Sequence, residues 1–281
     1  MKLITFTHNH RTQMGEIVGD QVYVLASSDT LRMHEMIRRG ITPSRVNQHY
    51  ALADVTIQAP LRPGKIIAIG RNYAEHAKET GNKPPERPLI FSKLTSAVIS
   101  PGDNITWTED ITKEVDWEVE LAVIIGKKAR NVSEEDALNY VFGYTVANDV
   151  TARDLQHRVD TQWTRGKGLD TFCPLGPAIV TRSDIEDPQA LSLKTTVNDE
   201  VMQDGNTKDM IFSVAYLIHY LSKHFTLEPA DIILTGTPSG VGEGRDPKVF
   251  LKDGDVVTVS VEGIGELRNT CKVIEPVAEE A

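Results

Sequence analysis

A chain of 281 residues, 40% of them hydrophobic, is globular and can bury one sizeable core, or one large domain with a small one attached. A net charge of -10 and a sequence pI near 5.3, without basic runs, argue against a general affinity for nucleic acid or for anionic membranes. An anionic ligand would therefore have to be held by a local site.

The opening stretch, MKLITFTHNHRTQMGEIVGDQVYVL, is broken by His8, His10 and Arg11 before any apolar run reaches signal-peptide length, and no later run approaches a membrane span. The two cysteines, Cys173 and Cys271, can make no disulfide framework and show no metal-ligand spacing, which fits a reducing compartment; the expected location is the cytoplasm. Period-two apolar patterns predict strands over Lys2 to Thr7 and Glu16 to Leu25, and a helix follows from about Leu31 to Arg39. Pro60 and Pro63 with Gly64 mark a connection, so a small N-terminal α+β domain is expected over residues 1–62 and a larger one over 63–281.

In the larger piece, strands are predicted over Lys65–Ile69, Ala97–Ile99, Glu118–Ile125, Tyr144–Ala147, Ala178–Val180, Leu193–Val197, Ile232–Thr235 and Val256–Val261. Helices are expected only over Ser133–Tyr140 and Met210–Lys223, with a short one after Asn72. They are too few for a regular alternation of strand and helix, so a mixed, mostly β architecture fits better than a doubly wound sheet or an eightfold barrel. The proline-rich segment from Gly81 to Pro88 directly follows the helix bearing His76, and such loops are usually mobile or functional.

The stretch VDWEVELAVIIGK, Val115 to Lys127, puts two glutamates into a very apolar strand. Strand alternation turns Glu118 and Glu120 to one face and Trp117, Val119, Leu121, Val123 and Ile125 to the other. Alpha-carbons two apart on a strand are roughly 6.5 Å from each other, so both carboxylates can reach one ion. Buried unpaired charge is costly, and a cation between them is the expected remedy. A solvated strand face is the alternative, opposed by Ala122 and Ile124, which continue the same face without polarity. Asp149, at the end of the strand through Tyr144–Ala147, adds a third hard oxygen ligand, a set that suits Mg²⁺ or Mn²⁺ rather than zinc. Asp116 shares the parity of the glutamates and could replace Glu118, although its place at the strand's start favours exposure.

Other residues carry chemistry less specifically. His76 and Glu79 lie three apart on one helix face, where the carboxylate would orient the ring and make it a better proton acceptor; a surface pair is the bland alternative. Lys167 and Arg153 could hold a carboxylate or developing negative charge, or be ordinary surface cations. Thr151 and Asp154 offer a capping box for a helical turn. The backbone N–H groups of Thr235 to Gly242 could face an anion, or the segment could be a tight strand-end turn; it lacks the ending of a phosphate loop.

Taken together, IGRNYAEHAKE, PLIFSKLTSAVISPGD, VDWEVELAVIIGKKARNV, GYTVANDVTARDLQ, KGLDTFCPLGP, VNDEVMQDGNT and ILTGTPSGVG resemble, in order, the fumarylacetoacetate hydrolase family from about Ile66 to Cys271. The resemblance implies an α+β protein with a mixed β-sandwich roll as its catalytic domain, a homodimer, and Mg²⁺ or Mn²⁺ held by Glu118, Glu120 and Asp149. It implies His76 and Glu79 on a mobile lid as the water-activating pair, and contacts to a 2-oxo acid by Arg153, Gln156, Lys167 and Thr237. The sequence does not closely match the longer fumarylacetoacetase itself, which carries a much larger N-terminal domain, so that enzyme's substrate is not the one expected.

The expected reaction is metal-dependent hydrolysis of a C–C bond in an acylpyruvate or similar 2,4-dioxo acid, giving pyruvate and a carboxylic acid. Closure of Gly81 to Pro88 would complete the site, and Lys167 would stabilise the enolate left behind. Decarboxylation of oxaloacetate is the first rival. Isomerase, dehydratase or lyase action on sugar-derived 2-oxo acids is another. A non-catalytic binding protein that kept the fold should have lost a ligand or the base, and neither is missing.

Overall fold

The structure is a computed structural model describing residues 1–159 and 161–276. Two sheets stack face to face. The larger runs in the order Arg45–Ala51, Gln21–Leu25, Arg11–Val18, Lys2–His8, Cys173–Thr181, Val141–Asn148, Val119–Ile125, Ile232–Leu234, Ile66–Gly70 and Leu89–Lys93. The smaller runs Glu200–Asn206, Ser192–Val197, Val256–Val261, Gly265–Val273 and Asn104–Trp107. Antiparallel pairing dominates, and the parallel pairs include Ile232–Leu234 with Ile66–Gly70.

The alternation anticipated around Val119–Ile125 is present, with both faces of that strand buried. Trp117, Val119, Leu121, Val123 and Ile125 join the core between the sheets, with Leu193, Val257, Val259 and Leu267 from the smaller one. Ala122 and Ile124 join a second core with Met33, Met36 and Ile37 of the helix Met33–Arg38. A strand apolar on both faces is what a central position between two covering layers demands.

The N-terminal strands extend the larger sheet, because Lys2–His8 pairs antiparallel with Cys173–Thr181. The segment expected as one strand from Glu16 to Leu25 is divided by the turn Gly19-Asp20 into the hairpin Arg11–Val18 and Gln21–Leu25. Two helix expectations need correction. Ser133 and Asp136 bond to each other (Ser133 Oγ to Asp136 Oδ2, 2.9 Å), and Ser133 Oγ also accepts from the Asp136 N–H at 3.2 Å. Beyond this capping contact the backbone closes in bonds that reach only three residues back, from the Ala137 N–H to the Glu134 carbonyl at 3.2 Å and from the Asn139 N–H to the Asp136 carbonyl at 2.9 Å, so only a single tight turn, Ala137–Tyr140, forms. The helix expected from Met210 begins at Val214, where the Ser213 hydroxyl caps it by accepting from the Tyr216 N–H at 3.0 Å. Met210 bridges to Tyr73 and the Ile211 N–H donates to the Asn72 carbonyl, so these residues fix the turn that precedes His76.

The capping box expected at Thr151 is also absent. Thr151 and Ala152 pair with Val115 and Asp116 as a short antiparallel ladder. The Thr151 hydroxyl donates to the Asp149 carbonyl at 2.9 Å, and Asp154 accepts from the Thr112 hydroxyl at 2.6 Å.

Register brings four strand ends to one place. Val119 pairs with Asn148, Ala122 with Leu234, and Leu234 with Ala68. The start of Val119–Ile125 therefore meets the C-terminal ends of Val141–Asn148, Ile232–Leu234 and Ile66–Gly70. Loops leaving such ends carry the chemistry described next.

Candidate active site

Glu118, Glu120 and Asp149 are all buried, and each offers a carboxylate oxygen within 4.8 Å of the others. Backbone bonds lock the group. The Asp149 N–H donates to the Glu118 carbonyl at 2.9 Å, and the Glu118 N–H donates to Asn148 Oδ1 at 3.0 Å.

Three buried cations surround the triad. Lys167 Nζ lies 2.6 Å from Glu118 Oε2 and 2.8 Å from Asp149 Oδ2. Lys93 Nζ takes the other side of Asp149, 2.5 Å from Oδ1. Arg153 holds Asp116 through Nε at 2.8 Å, and its Nη2 forms an ion pair with Glu118 Oε1 at 2.7 Å without the alignment of a hydrogen bond. Burial alone would raise the Glu118 pKa, but Lys167 and Arg153 reverse that and hold it at about 2. Burial alone would lower the Lys167 pKa, but Asp149 and Glu118 raise it above its ordinary value, so Lys167 is an ammonium.

Glu120 differs. It is in no ion pair among the described residues, and its one hydrogen bond there comes from the Gly236 N–H at 2.7 Å. Burial, then the Asp149 and Glu118 charges, push its pKa well above the usual carboxylate range. A carboxylate without a counter-charge, beside two further carboxylate oxygens, is the donor set that suits a hard divalent cation. The residues present fit Mg²⁺ or Mn²⁺.

Asp116 is not exposed and does not substitute for Glu118. It is fully buried, with Oδ1 accepting from the N–H groups of Trp117 and Gly242 and Oδ2 bound to Arg153 and the Glu243 N–H. Its role is to anchor Arg153. The anion-facing reading of Thr235 to Gly242 is resolved in the same way, since the anions are carboxylates of this chain. Gly236 donates to Glu120, Gly240 to Glu79 at 2.8 Å, and Gly242 to Asp116 at 2.7 Å. Gly236 has φ +96 and an added Cβ would lie 2.7 Å from Asn72 Cβ, so only glycine fits there.

His76, on the helix Ala74–Glu79, is only 6% exposed and lines the cavity above Glu118 and Glu120. Its Nδ1 is 2.8 Å from Glu79 Oε1. A carboxylate acceptor fixes the hydrogen on Nδ1 and leaves the Nε2 lone pair available. The surface-pair alternative does not hold for a ring this buried.

The remaining expected residues reach the same cavity with different freedom. Gln156 accepts from Arg153 Nη1 at 3.0 Å, which leaves its amide NH₂ to donate. Thr237 donates to the Val119 carbonyl and accepts from Gln203 Nε2, each at 2.8 Å, so its hydroxyl is largely engaged within the fold. Arg153 is occupied by Asp116, Glu118 and Gln156. Lys93 escaped sequence analysis. Its strand, Leu89–Lys93, follows the proline-rich segment without a distinctive pattern, and only pairing with Ile66–Gly70 carries the side chain to Asp149.

Residues 65–272 match the family described as fumarylacetoacetate (FAA) hydrolase C-terminal. The oxaloacetate tautomerase YisK of Bacillus subtilis is 49% identical over 78% of this chain and 74% of its own length. The mitochondrial oxaloacetate tautomerase Fahd2a of Rattus norvegicus is 49% identical over 77% of this chain and 69% of its own. Among solved structures, a fumarylacetoacetate hydrolase from psychrophilic Exiguobacterium antarcticum superposes with a TM-score of 0.87 at 40% identity, covering 98% of this chain and 100% of that one. The mixed α+β, mostly sheet architecture is shared with these neighbours.

Proposed function

The chain belongs to the fumarylacetoacetate hydrolase family, and from that premise we propose that it is a divalent-cation-dependent enzyme interconverting the keto and enol forms of oxaloacetate. The observation that carries the reading is the His76 ring, oriented by Glu79, over a buried carboxylate triad flanked by Lys167. The names of relatives near 49% identity supply the substrate. Glu118, Glu120 and Asp149 would hold Mg²⁺ or Mn²⁺, which supplies Lewis acidity to a bound 2-oxo acid.

The chain's own residues do the rest. His76 Nε2 takes a proton from C3 of the keto form, and the C–H electron pair becomes the C2–C3 double bond. Negative charge gathers on the C2 oxygen, where the remaining N–H of Lys167 and the Gln156 amide can donate to it. Return of the proton to that oxygen completes the enol, and the reverse order restores the ketone. Glu79 keeps Nδ1 protonated throughout and stabilises the imidazolium. Action as a homodimer belongs to the same reading on the family resemblance, and the free cysteines Cys173 and Cys271 support a reducing compartment such as the cytoplasm.

Hydrolysis of acylpyruvates is the second reading, because the same His76 and Glu79 could deprotonate a water. It is favoured by the likeness to the Exiguobacterium antarcticum protein. The two part on product. Oxaloacetate prepared as the enol, mixed with the cation-loaded protein, should lose its ultraviolet band without release of pyruvate or CO₂. Rapid pyruvate release from acylpyruvates with no acceleration of the enol's decay would replace this reading by the hydrolytic one.

A further inference from the structure

Arg71 lines the cavity of His76, Glu118, Glu120 and Lys167, yet it forms no ion pair among the described residues. Every other cation placed in that site faces a carboxylate. Its guanidinium instead lies 5.1 Å from the centroid of the Trp163 ring, which in turn meets Phe91 edge-on at 5.4 Å. A guanidinium laid on an aromatic face is orientated, and its in-plane N–H groups stay free for a planar anion.

The backbone is built for this placement. Arg71 has φ 58, a left-handed conformation that is strained for a non-glycine residue. Asn72 fixes it there, donating to the carbonyls of Phe212 and Thr235 at 3.0 and 2.7 Å and accepting from the Phe212 N–H at 2.8 Å. Gly70 makes room for the ring, since a Cβ there would lie 2.4 Å from Trp163 Cζ3. Glycine, left-handed arginine and buried asparagine in succession thus bring one cation, without a carboxylate of its own, to the wall of the site.

We propose that Arg71, backed by Trp163, is the specificity-determining residue that binds the distal carboxylate of a dicarboxylic 2-oxo acid whose 2-oxo-acid end lies at the triad. An acylpyruvate with an uncharged acyl arm offers nothing to this guanidinium, whereas a second carboxylate completes a bidentate, charge-assisted pair. The proposal rests on the keto–enol reading only for the choice of oxaloacetate as the larger probe.

The test compares binding of oxaloacetate, pyruvate and oxalate to the full-length Mn²⁺-loaded protein by calorimetry, in wild type, Arg71→Met and Arg71→Lys. Pyruvate presents the 2-oxo-acid end alone, and oxalate imitates its chelating oxygens, with no further carboxylate beyond them to reach Arg71. Loss of one charge-assisted pair predicts that R71M binds oxaloacetate roughly 10- to 100-fold more weakly. Pyruvate and oxalate should stay within about twofold, and R71K should recover part of the difference. Equal weakening of all three ligands would overturn the assignment, because Arg71 would then only shape the turn. Unchanged oxaloacetate binding in R71M, or wild-type protein that binds oxaloacetate no tighter than pyruvate, would overturn it as well. Selective dicarboxylate binding by a wild-type protein that does not accelerate enol decay would uphold Arg71 and sink the keto–enol reading.

Discussion

Glu79 ties the Gly240 N–H to the His76 ring, accepting from Gly240 through Oε2 at 2.8 Å and meeting His76 Nδ1 through Oε1 at 2.8 Å. One carboxylate therefore sets both the tautomer of the proposed base and the docking of its helix on the turn that also serves Glu120. Removing the base by His76→Ala should lower turnover by about 10²- to 10⁴-fold while leaving Mn²⁺ affinity intact. Glu79→Gln keeps the shape without the charge and should lower kcat more than it raises KM. Steady-state kinetics with calorimetric titration of Mn²⁺ checks both, and unchanged turnover in H76A would remove the base assignment.

Gly240 has φ +104, and a Cβ added there would sit 2.2 Å from the Met202 carbonyl oxygen. Gly240→Ala must shift the turn and withdraw the N–H from Glu79. The expected outcome is a loss of about 1–3 kcal/mol in stability from strain alone, with a larger fractional loss of activity than of cation affinity. Urea unfolding alongside kinetics measures both quantities.

Lys93 and Asp149 form a pair whose side chains are both fully buried. Lys93→Met preserves length and apolar contacts but strips Asp149 Oδ1 of its cation, for which roughly 3–5 kcal/mol is the expected scale of destabilisation. Lys167 still faces Oδ2, which should keep the effect at the lower end. Saturating Mn²⁺ should restore part of the loss. Chemical denaturation with and without Mn²⁺ tests this, and a variant as stable as wild type in the absence of cation would contradict it.

The two glutamates should respond to pH with opposite signs. The Glu118 pKa is depressed to about 2, so its contribution to stability is complete above the ordinary glutamate range and is lost as pH falls towards 2. Glu120 is raised, so its contribution is present below that range and is lost as pH rises through its folded value. A proton on Glu120 also competes with a cation, so affinity should rise with pH. Glu120→Gln should flatten that dependence while weakening binding. Parallel pH profiles of Mn²⁺ affinity in wild type and E120Q would expose an error in sign.

Much of the site was legible because strand alternation is a local rule. Glu118 and Glu120 were bound to share a face, and Ala122 and Ile124 marked that face as buried. His76 and Glu79 followed as simply from helical spacing. Lys93 and Arg71 did not, since each reaches the cavity through long-range strand pairing or a left-handed turn that no periodic pattern announces. The burial of Asp116 is illegible for a related reason, because the Gly242 and Glu243 N–H groups that it accepts from lie more than a hundred residues away in the chain. Ser133 caps Asp136 as a helix start would, but the backbone bonds that follow reach only three residues back, and a local apolar pattern does not distinguish that turn from a helix.

The central claim is tested most directly by stripping the protein of divalent cations with a chelator and measuring enol–keto interconversion as Mn²⁺ is returned. The account predicts no acceleration until Mn²⁺ is present, then full activity at one ion per chain, with Glu120→Ala failing to recover. Full activity in the stripped protein would contradict it.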